Sequence, residues 1–447
     1  EDGLVAEHGQ HVMLGFYDEM RALIRRAGVD PEATSVSGGG DFYIYEERDQ
    51  ETHHLHLGRS SLKTLFEGLS YTGFSGREKS QFASFFIRVM PEVISGVPES
   101  LDDMCLTAWC LQHGFPVSLM ATNAMRCSRE AQLNWPGEIS AYSMLKTIQV
   151  TGRDYTSSEA HFPAGGMSAI WWDPIAAHIE RLGGKIERYR KLVAISHNNG
   201  VATGLTFAFP IPHLPGERYV EGSIPTIEGS EELIEDFDAV ILTLPPPALQ
   251  EVIAHDPVLC TLPGLSNVRR LATIAPLGLH VWHRETVRAK YPVVVAGLAP
   301  PLGFVLDNKP HYAEYRNNPA IGAALHFVGQ ETLFEDDDDE LLLERAMHSV
   351  RLIPGYEAMD LAGVLDFQVI RNRSPHKRYW NAEPGSLKFK PFPKTNLDGL
   401  FLAGDWVRGE FEFPCMETAV RSGRNTASMV LKELRQKERQ ARRRRVA

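Results

Sequence analysis

At 447 residues the chain is long enough to bury a large core, and its length argues for two or three domains. A content of 43% hydrophobic and 23% charged residues is that of an ordinary globular protein, and a net charge of −11 argues against nucleic acid as the main partner. Cys105, Cys110, Cys127, Cys260 and Cys415 are scattered with no CxxC, which points away from a disulfide scaffold or a zinc site and towards a reducing, cytoplasmic setting.

The chain opens with a short apolar strand and then "HVMLGFYDEMRALIRRAG", where Phe16, Met20, Leu23 and Ile24 recur at helical spacing and Gly28 is the stop. In "SVSGGGDFYIYE" the glycines Gly38 to Gly40 read as a hairpin turn. His53, His54 and His56 of "THHLHLG" alternate as in a strand, without a cysteine or carboxylate cluster, so no metal is expected. Residues 55–150 are mainly helical in pattern, punctuated by Pro91, Pro98, Pro116 and Pro136.

A turn at Gly165-Gly166 then leads into a helix with Asp173 as cap and Pro174 in its first turn, ended by Gly183-Gly184. Strands follow around Asn198-Asn199-Gly200. Residues 210–236 read as a surface loop, and "DAVILTLPPPALQEVI" as a buried strand ending at Pro245 and then a helix. In the mixed region 260–390, "EDDDDE" is a helix start or a solvated face. No run approaches the roughly 18 apolar residues of a membrane span.

The last element is "LAGDWVRGEFEFPCMETAVRSG": a buried strand, the turn Gly404-Asp405, and a helix from Cys415 to Leu434. Met416, Ala419, Val420, Gly423, Ala427, Val430, Leu431 and Leu434 share one face of that helix. Its start carries about +0.5 of an elementary charge and would stabilise a ligand that becomes negative during its chemistry. Reduced flavin is such a ligand, and the effect is worth roughly 0.3–2 kcal/mol. Beyond Lys432 the tail is strongly basic (Arg435, Lys437, Arg439 and Arg442 to Arg445), either a solvated, fraying helix end or a contact with an anionic membrane surface.

Four segments together resemble the flavin-dependent amine oxidase and phytoene-desaturase superfamily. They are "EHGQHVMLGFYDEMRALIRRAG", "FPAGGMSAIWW…LGGKI…LVAI…NGVATGL", "DAVILTLPPPAL" and "LFLAGDW…PCMETAVRSGRNTA", in the family's order. The GxHVxxG(F/C)Y pattern and "LDDMCLTAWCLQHG" are most similar to carotenoid desaturases and hydroxysqualene dehydroxylases. The resemblance implies an α/β fold. An FAD-binding, Rossmann-like domain, incomplete at its N-terminus, would comprise residues 1–54, 151–255 and 393–435. A helical insertion (55–150) and a mixed α+β segment (256–392) would form the substrate domain, and 436–447 a basic tail.

It also implies a cofactor site. Gly9, Gln10 and His11 would lie near the isoalloxazine ring, Val193 by the adenine, and Pro245 beneath the nucleotide. Gly404 and Asp405 would meet the ribityl–pyrophosphate region, with Met416, Glu417 and Ala419 at the flavin's pyrimidine edge. Gly165 and Gly166 complete the set. No residue is assigned a catalytic role.

The family also begins with GxGxxG, and this sequence contains none. A cleaved or disordered N-terminal fragment, a separate small subunit carrying the motif, and a chain that no longer binds FAD all remain open. The leading expectation is an FAD-dependent oxidoreductase passing hydride from a hydrophobic, isoprenoid or polyene substrate to flavin N5. Phe85, Phe86, Trp109, Trp171, Trp172, Phe304, Trp406, Phe411 and Phe413 are candidates to line its channel. One alternative is an amine or amino-acid oxidase with Phe411 and Phe413 flanking the amine carbon; another is a non-catalytic or partner-dependent subunit.

Overall fold

A computed structural model describes residues 4–9, 11–37, 40–57, 69–122, 138–153, 156–157, 159–212, 224–287, 294–298, 302–330 and 338–446. The chain divides into two compact units, one of Glu1–Lys185 with Ile274–Asn372, the other of Ile186–Thr273 with Arg373–Ala447. The segments expected to form the flavin domain are spread over both: 1–54 and 151–185 belong to the first, 186–255 and 393–435 to the second.

The first unit is built on a seven-stranded sheet. Its order is Val364–Arg371, Pro276–His283, Ala323–Gln330, Phe304–Asp307, Val294–Gly297, Gly40–Glu46, Glu51–Leu57. Val294–Gly297 and Gly40–Glu46 run parallel, and the other neighbours antiparallel. Every residue of Pro276–His283 is buried, so this strand has no solvent face and its apolar run does not alternate. Leu277, Leu279, Val281, Leu325 and Phe327 pack in one cluster with Leu342, Ala346, Met347 and Val350 of the helix Asp339–Val350. That helix is capped by Asp338, which accepts from Leu341 N–H at 2.7 Å, so the acidic run is a helix start.

Helices account for much of the described part of 55–150: Gly76–Ser95, Leu106–Gln112, Val117–Met120 and Ala141–Thr151. The first begins with a reciprocal Ser75/Glu78 capping box. Phe85 packs edge-to-face with Trp109 and Phe115 in its core, and Trp171 is also fully buried, so of the channel candidates Phe85, Trp109 and Trp171 are core residues.

Two local expectations are corrected. The strands flanking the glycines take different partners, Ser35–Ser37 pairing with Ala160–Pro163 and Gly40–Glu46 with Glu51–Leu57, so they do not form a hairpin with each other; Gly38 and Gly39 themselves lie outside the described residues. Asp173 does not cap its helix, because a π-helical turn, Ser168–Trp172, runs directly into Asp173–Arg181 and leaves Asp173 inside the spiral.

Gly322 leads into Ala323–Gln330 and donates to His283 O at 2.7 Å; an added Cβ would come 2.2 Å from Glu285 O. Backbone on both sides cannot yield, so Gly322→Ala is expected to cost about 3 kcal/mol or more. Thermal unfolding checks this, and an unchanged midpoint would contradict it.

In the second unit Lys191–Asn198 and Val201–Ala208 form a hairpin through Asn199 (φ 49) and Gly200 (φ 77), the left-handed pair a type I′ turn requires, and Glu232–Ile234 adds a third strand. Beside it Val240–Leu242 and Leu400–Leu402 pair in parallel, so both strands end on the same side. Leu242, Leu249, Val252, Leu400, Leu402 and Val407 share the core beneath them.

The last helix, Met416–Val446, does not end near Leu434 but continues through the basic tail. Leu431, placed on its apolar face, is 53% exposed. Among the described residues no helix is long and apolar enough to cross a membrane.

Candidate cofactor site

The parallel strand pair sets the candidate site of the second unit. Leu402 is in register with Leu242, and Ala403 N–H continues the ladder to Leu242 O at 2.9 Å. Pro245 and the turn Gly404-Asp405 therefore leave the sheet at neighbouring carboxyl ends, where open α/β sheets take their ligands. Gly404 has φ +150, and a Cβ there would lie 2.7 Å from Trp406 Nε1, so this close approach requires glycine. The final helix is tied to the turn: Gly404 N–H donates to Ser422 Oγ and Thr426 Oγ1 donates to Leu402 O, each at 3.1 Å.

Asp405 follows with its carboxyl pushed up to about 6 by burial, against the opposing pull of the Lys390 ammonium and of backbone N–H donors. Burial and the Asp405 charge push Tyr379 up to about 12. At the helix start Glu417 is 0% exposed and paired with Arg421 Nε at 2.7 Å, while Met416 and Ala419 are half-buried. A buried carboxylate thus already complements the positive helix end. Val193 sits at a bulge between the registered pairs Leu192–Phe207 and Ala194–Thr206, outside the regular ladder.

The second unit fits a polar ligand on one observation: Trp380 Nε1 and Asn381 Oδ1 are buried with no hydrogen-bond partner among the described residues.

The first unit holds the other expected residues except Gln10, which lies outside the described residues. Gly9 is buried at a bend, and His11 is pushed down to about 3 by burial and by His8, so its ring stays neutral. Gly166 N–H donates to Glu314 Oε1 at 3.0 Å and Met167 N–H to Glu7 Oε1 at 2.7 Å, so the peptide groups after Gly165 meet the chain's own carboxylates. Glu7, His8 and His11 offer ligand atoms within 4.8 Å of one another, a cluster not anticipated where no metal was expected.

Sequence reasoning also missed His280 and His326. They face each other on adjacent strands with rings stacked 4.0 Å apart, and His280 Nε2 donates to Glu7 O at 2.7 Å. Burial pushes His280 down to about 4 and His326 well below the usual imidazole range. The available signal was a histidine inside an otherwise apolar strand, "LGLHVWH" and "AALHFVG".

The sequence model of flavin containing amine oxidoreductases matches residues 1–431. The chain belongs to that family. It is an oxidoreductase-family flavoprotein, and the FAD expected from the sequence is the family's cofactor. It is similar to 15-cis-phytoene desaturases from an Oncidium hybrid cultivar and from Solanum lycopersicum. Identity is 21% over 445 and 447 residues respectively, each covering 97% of this chain and 70% of the relative.

Among solved structures it resembles wild-type putrescine oxidase bound to putrescine, with TM-score 0.64, 14% identity, and 96% of this chain and 89% of that one covered. Cyclohexylamine oxidase from Brevibacterium oxydans gives TM-score 0.61 at 13% identity, covering 96% and 88%. An oxidoreductase from Methanosarcina mazei gives TM-score 0.61 at 15% identity, covering 88% and 81%. At these identities the structures share the fold, that of FAD-binding amine oxidases.

Proposed function

We propose that the chain is an FAD-dependent oxidoreductase of the desaturase type, acting on a hydrophobic, isoprenoid or polyene substrate. Bound flavin supplies hydride-accepting chemistry at N5. The chain supplies grip and orientation. Asp405, ionised above about pH 6, accepts a hydrogen bond from a cofactor hydroxyl. The start of Met416–Val446, already complemented by the buried Glu417, favours further negative charge beside it by about 0.3 kcal/mol, the lower end of the usual range.

The observation that carries the choice of substrate is the state of the proposed amine cage. Phe411 and Phe413 stack 15° from parallel with centroids 5.8 Å apart. A carbon held between two ring faces needs about 3.5–4 Å on each side, hence about 7 Å or more between the faces. Both rings are buried, and Arg421 sits 4.5 Å from the Phe411 centroid. They pack on each other, which disfavours the amine reading; the desaturases similar over 97% of the chain support the hydrophobic one.

Anaerobic mixing of the flavin-loaded protein with a detergent-dispersed C40 polyene should bleach the flavin band. A panel of small amines should leave the band unchanged and release no peroxide in air. Bleaching by an amine but by no lipid would reverse the assignment.

A further inference from the structure

Lys390 has a wholly buried side chain within the second unit. Its ammonium pairs with Glu412 at 2.5 Å, donates to the Asp405 backbone oxygen at 3.1 Å, and lies 4.0 Å from the centroid of the Trp380 ring. Glu412 is itself buried, and its other oxygen accepts from Gly409 N–H at 2.9 Å, so the pair spans the loop between the strand Leu400–Leu402 and the last helix. Arg408 N–H donates to Pro391 O at 2.9 Å and holds the same loop against the Lys390 segment.

A buried ion pair is a weak device for stability, because desolvation consumes most of the attraction and apolar residues of similar volume serve as well. Its location then matters more than its strength. This one grips the Asp405 peptide at the carboxyl ends of the parallel strands, above Trp380, whose Nε1 has no hydrogen-bond partner among the described residues.

We propose that Lys390, clamped by Glu412, is the positioning residue of the cofactor turn: its ammonium on the Asp405 backbone oxygen fixes the turn from which the Asp405 side chain projects. This rests on the reading of the turn as a flavin site. Lys390 acts on Asp405, Asp405 in turn on Tyr379, and the groups acting on Lys390 are Glu412, Asp405 and Arg408. With the ammonium removed, the Asp405 carboxyl should titrate higher than in the wild type, since burial would then act with less opposition.

Three variants of the native flavin-loaded protein test this: Lys390→Met, Lys390→Arg, and the double change Lys390→Met with Glu412→Gln. The double variant strands neither charge of the Lys390–Glu412 pair and keeps an acceptor for Gly409 N–H, so it should fold where Lys390→Met alone fails. FAD affinity, measured by fluorescence quenching, should fall about tenfold or more in the double variant and stay within about threefold of wild type in Lys390→Arg. Selective 13C labelling of aspartate in the flavin-free protein should show the Asp405 carboxyl titrating higher in the double variant than in the wild type.

If the double variant keeps wild-type affinity and an unmoved Asp405 titration, the pair is structural only and the proposal is wrong. A wild-type protein that takes up no FAD would overturn the flavin reading, while the titration would still decide whether Lys390 governs Asp405.

Discussion

Replacing Arg421 with methionine is expected to destabilise the second unit by about 3 kcal/mol, among the larger effects available to a single substitution outside the sheet cores. Glu417 is completely buried, and its carboxylate is held by Arg421 Nε at 2.7 Å one helical turn away. The same guanidinium lies over the Phe411 ring and reaches Glu410 at 3.3 Å. Loss of the cation leaves a charge in the core and removes the plate that closes the Phe411–Phe413 stack. The lower end of the usual 3–5 kcal/mol range for broken buried pairs applies because the side chain of Arg421 is 16% exposed. The double variant Arg421→Met, Glu417→Met should recover most of the loss, since it strands no charge. Calorimetry would show this as a lowered transition in the single variant and a restored one in the double. Two equally impaired variants would mean that packing on Phe411, and not the ion pair, carries the effect.

Asp405→Asn is expected to act in the opposite direction on stability. The carboxyl has a folded-state value of about 6 against an ordinary value of 3.8, so folding favours its protonated form. A raised carboxyl contributes stability that is complete below pH 4 and is lost as pH rises through 6. The separation corresponds to about 3 kcal/mol at most, which the wild-type protein forgoes at pH 8 to keep a charged group in the turn. Asparagine, which does not titrate, should remove the slope between pH 4 and 6 and leave the variant more stable than wild type at pH 8. Denaturant unfolding at pH 4, 6 and 8 measures it. A wild-type slope of the other sign in this window, with stability increasing towards pH 6, would contradict the account if the variant lacked it. Stability surrendered at one buried acid is a mark of function at that position.

Elements whose local chemistry agrees with the fold were legible in the sequence. Asn199-Gly200 dictates its own hairpin, Asp338 caps the helix it precedes, and "LFLAGD" with the following Pro414 and Met416 foretold a buried strand, a turn and a helix. What remained illegible depends on partners distant in sequence. Nothing near Gly38 says that the strand before it joins Ala160–Pro163 while the strand after it joins another sheet. Asp173 has the chemistry of a cap, and a π-helical turn set by the segment before it overrides that choice. The apolar face of the last helix is shallower than periodicity implied: Ser422 and Thr426 make the contacts to Leu402–Gly404, so Leu431 is left to solvent.

In the candidate site, the turn and helix start could be read locally, whereas Lys390, Glu412, His280 and His326 could not. Lys390 lies 15 residues before Asp405, in a segment with no motif of its own, and becomes visible only when its ammonium is seen on the Asp405 carbonyl. His280 and His326 are 46 positions apart and meet through strand register. Buried polar side chains are informative because each must find a partner, and that partner is chosen by tertiary structure.

The most direct test is the flavin-to-protein ratio, from absorbance between 350 and 500 nm, of the native polypeptide and its Asp405→Ala variant after desalting. The account predicts about one FAD per wild-type chain, and a variant that is folded and at least as stable at pH 8 yet nearly colourless. A colourless wild type, or a variant that retains its full complement of flavin, would contradict it.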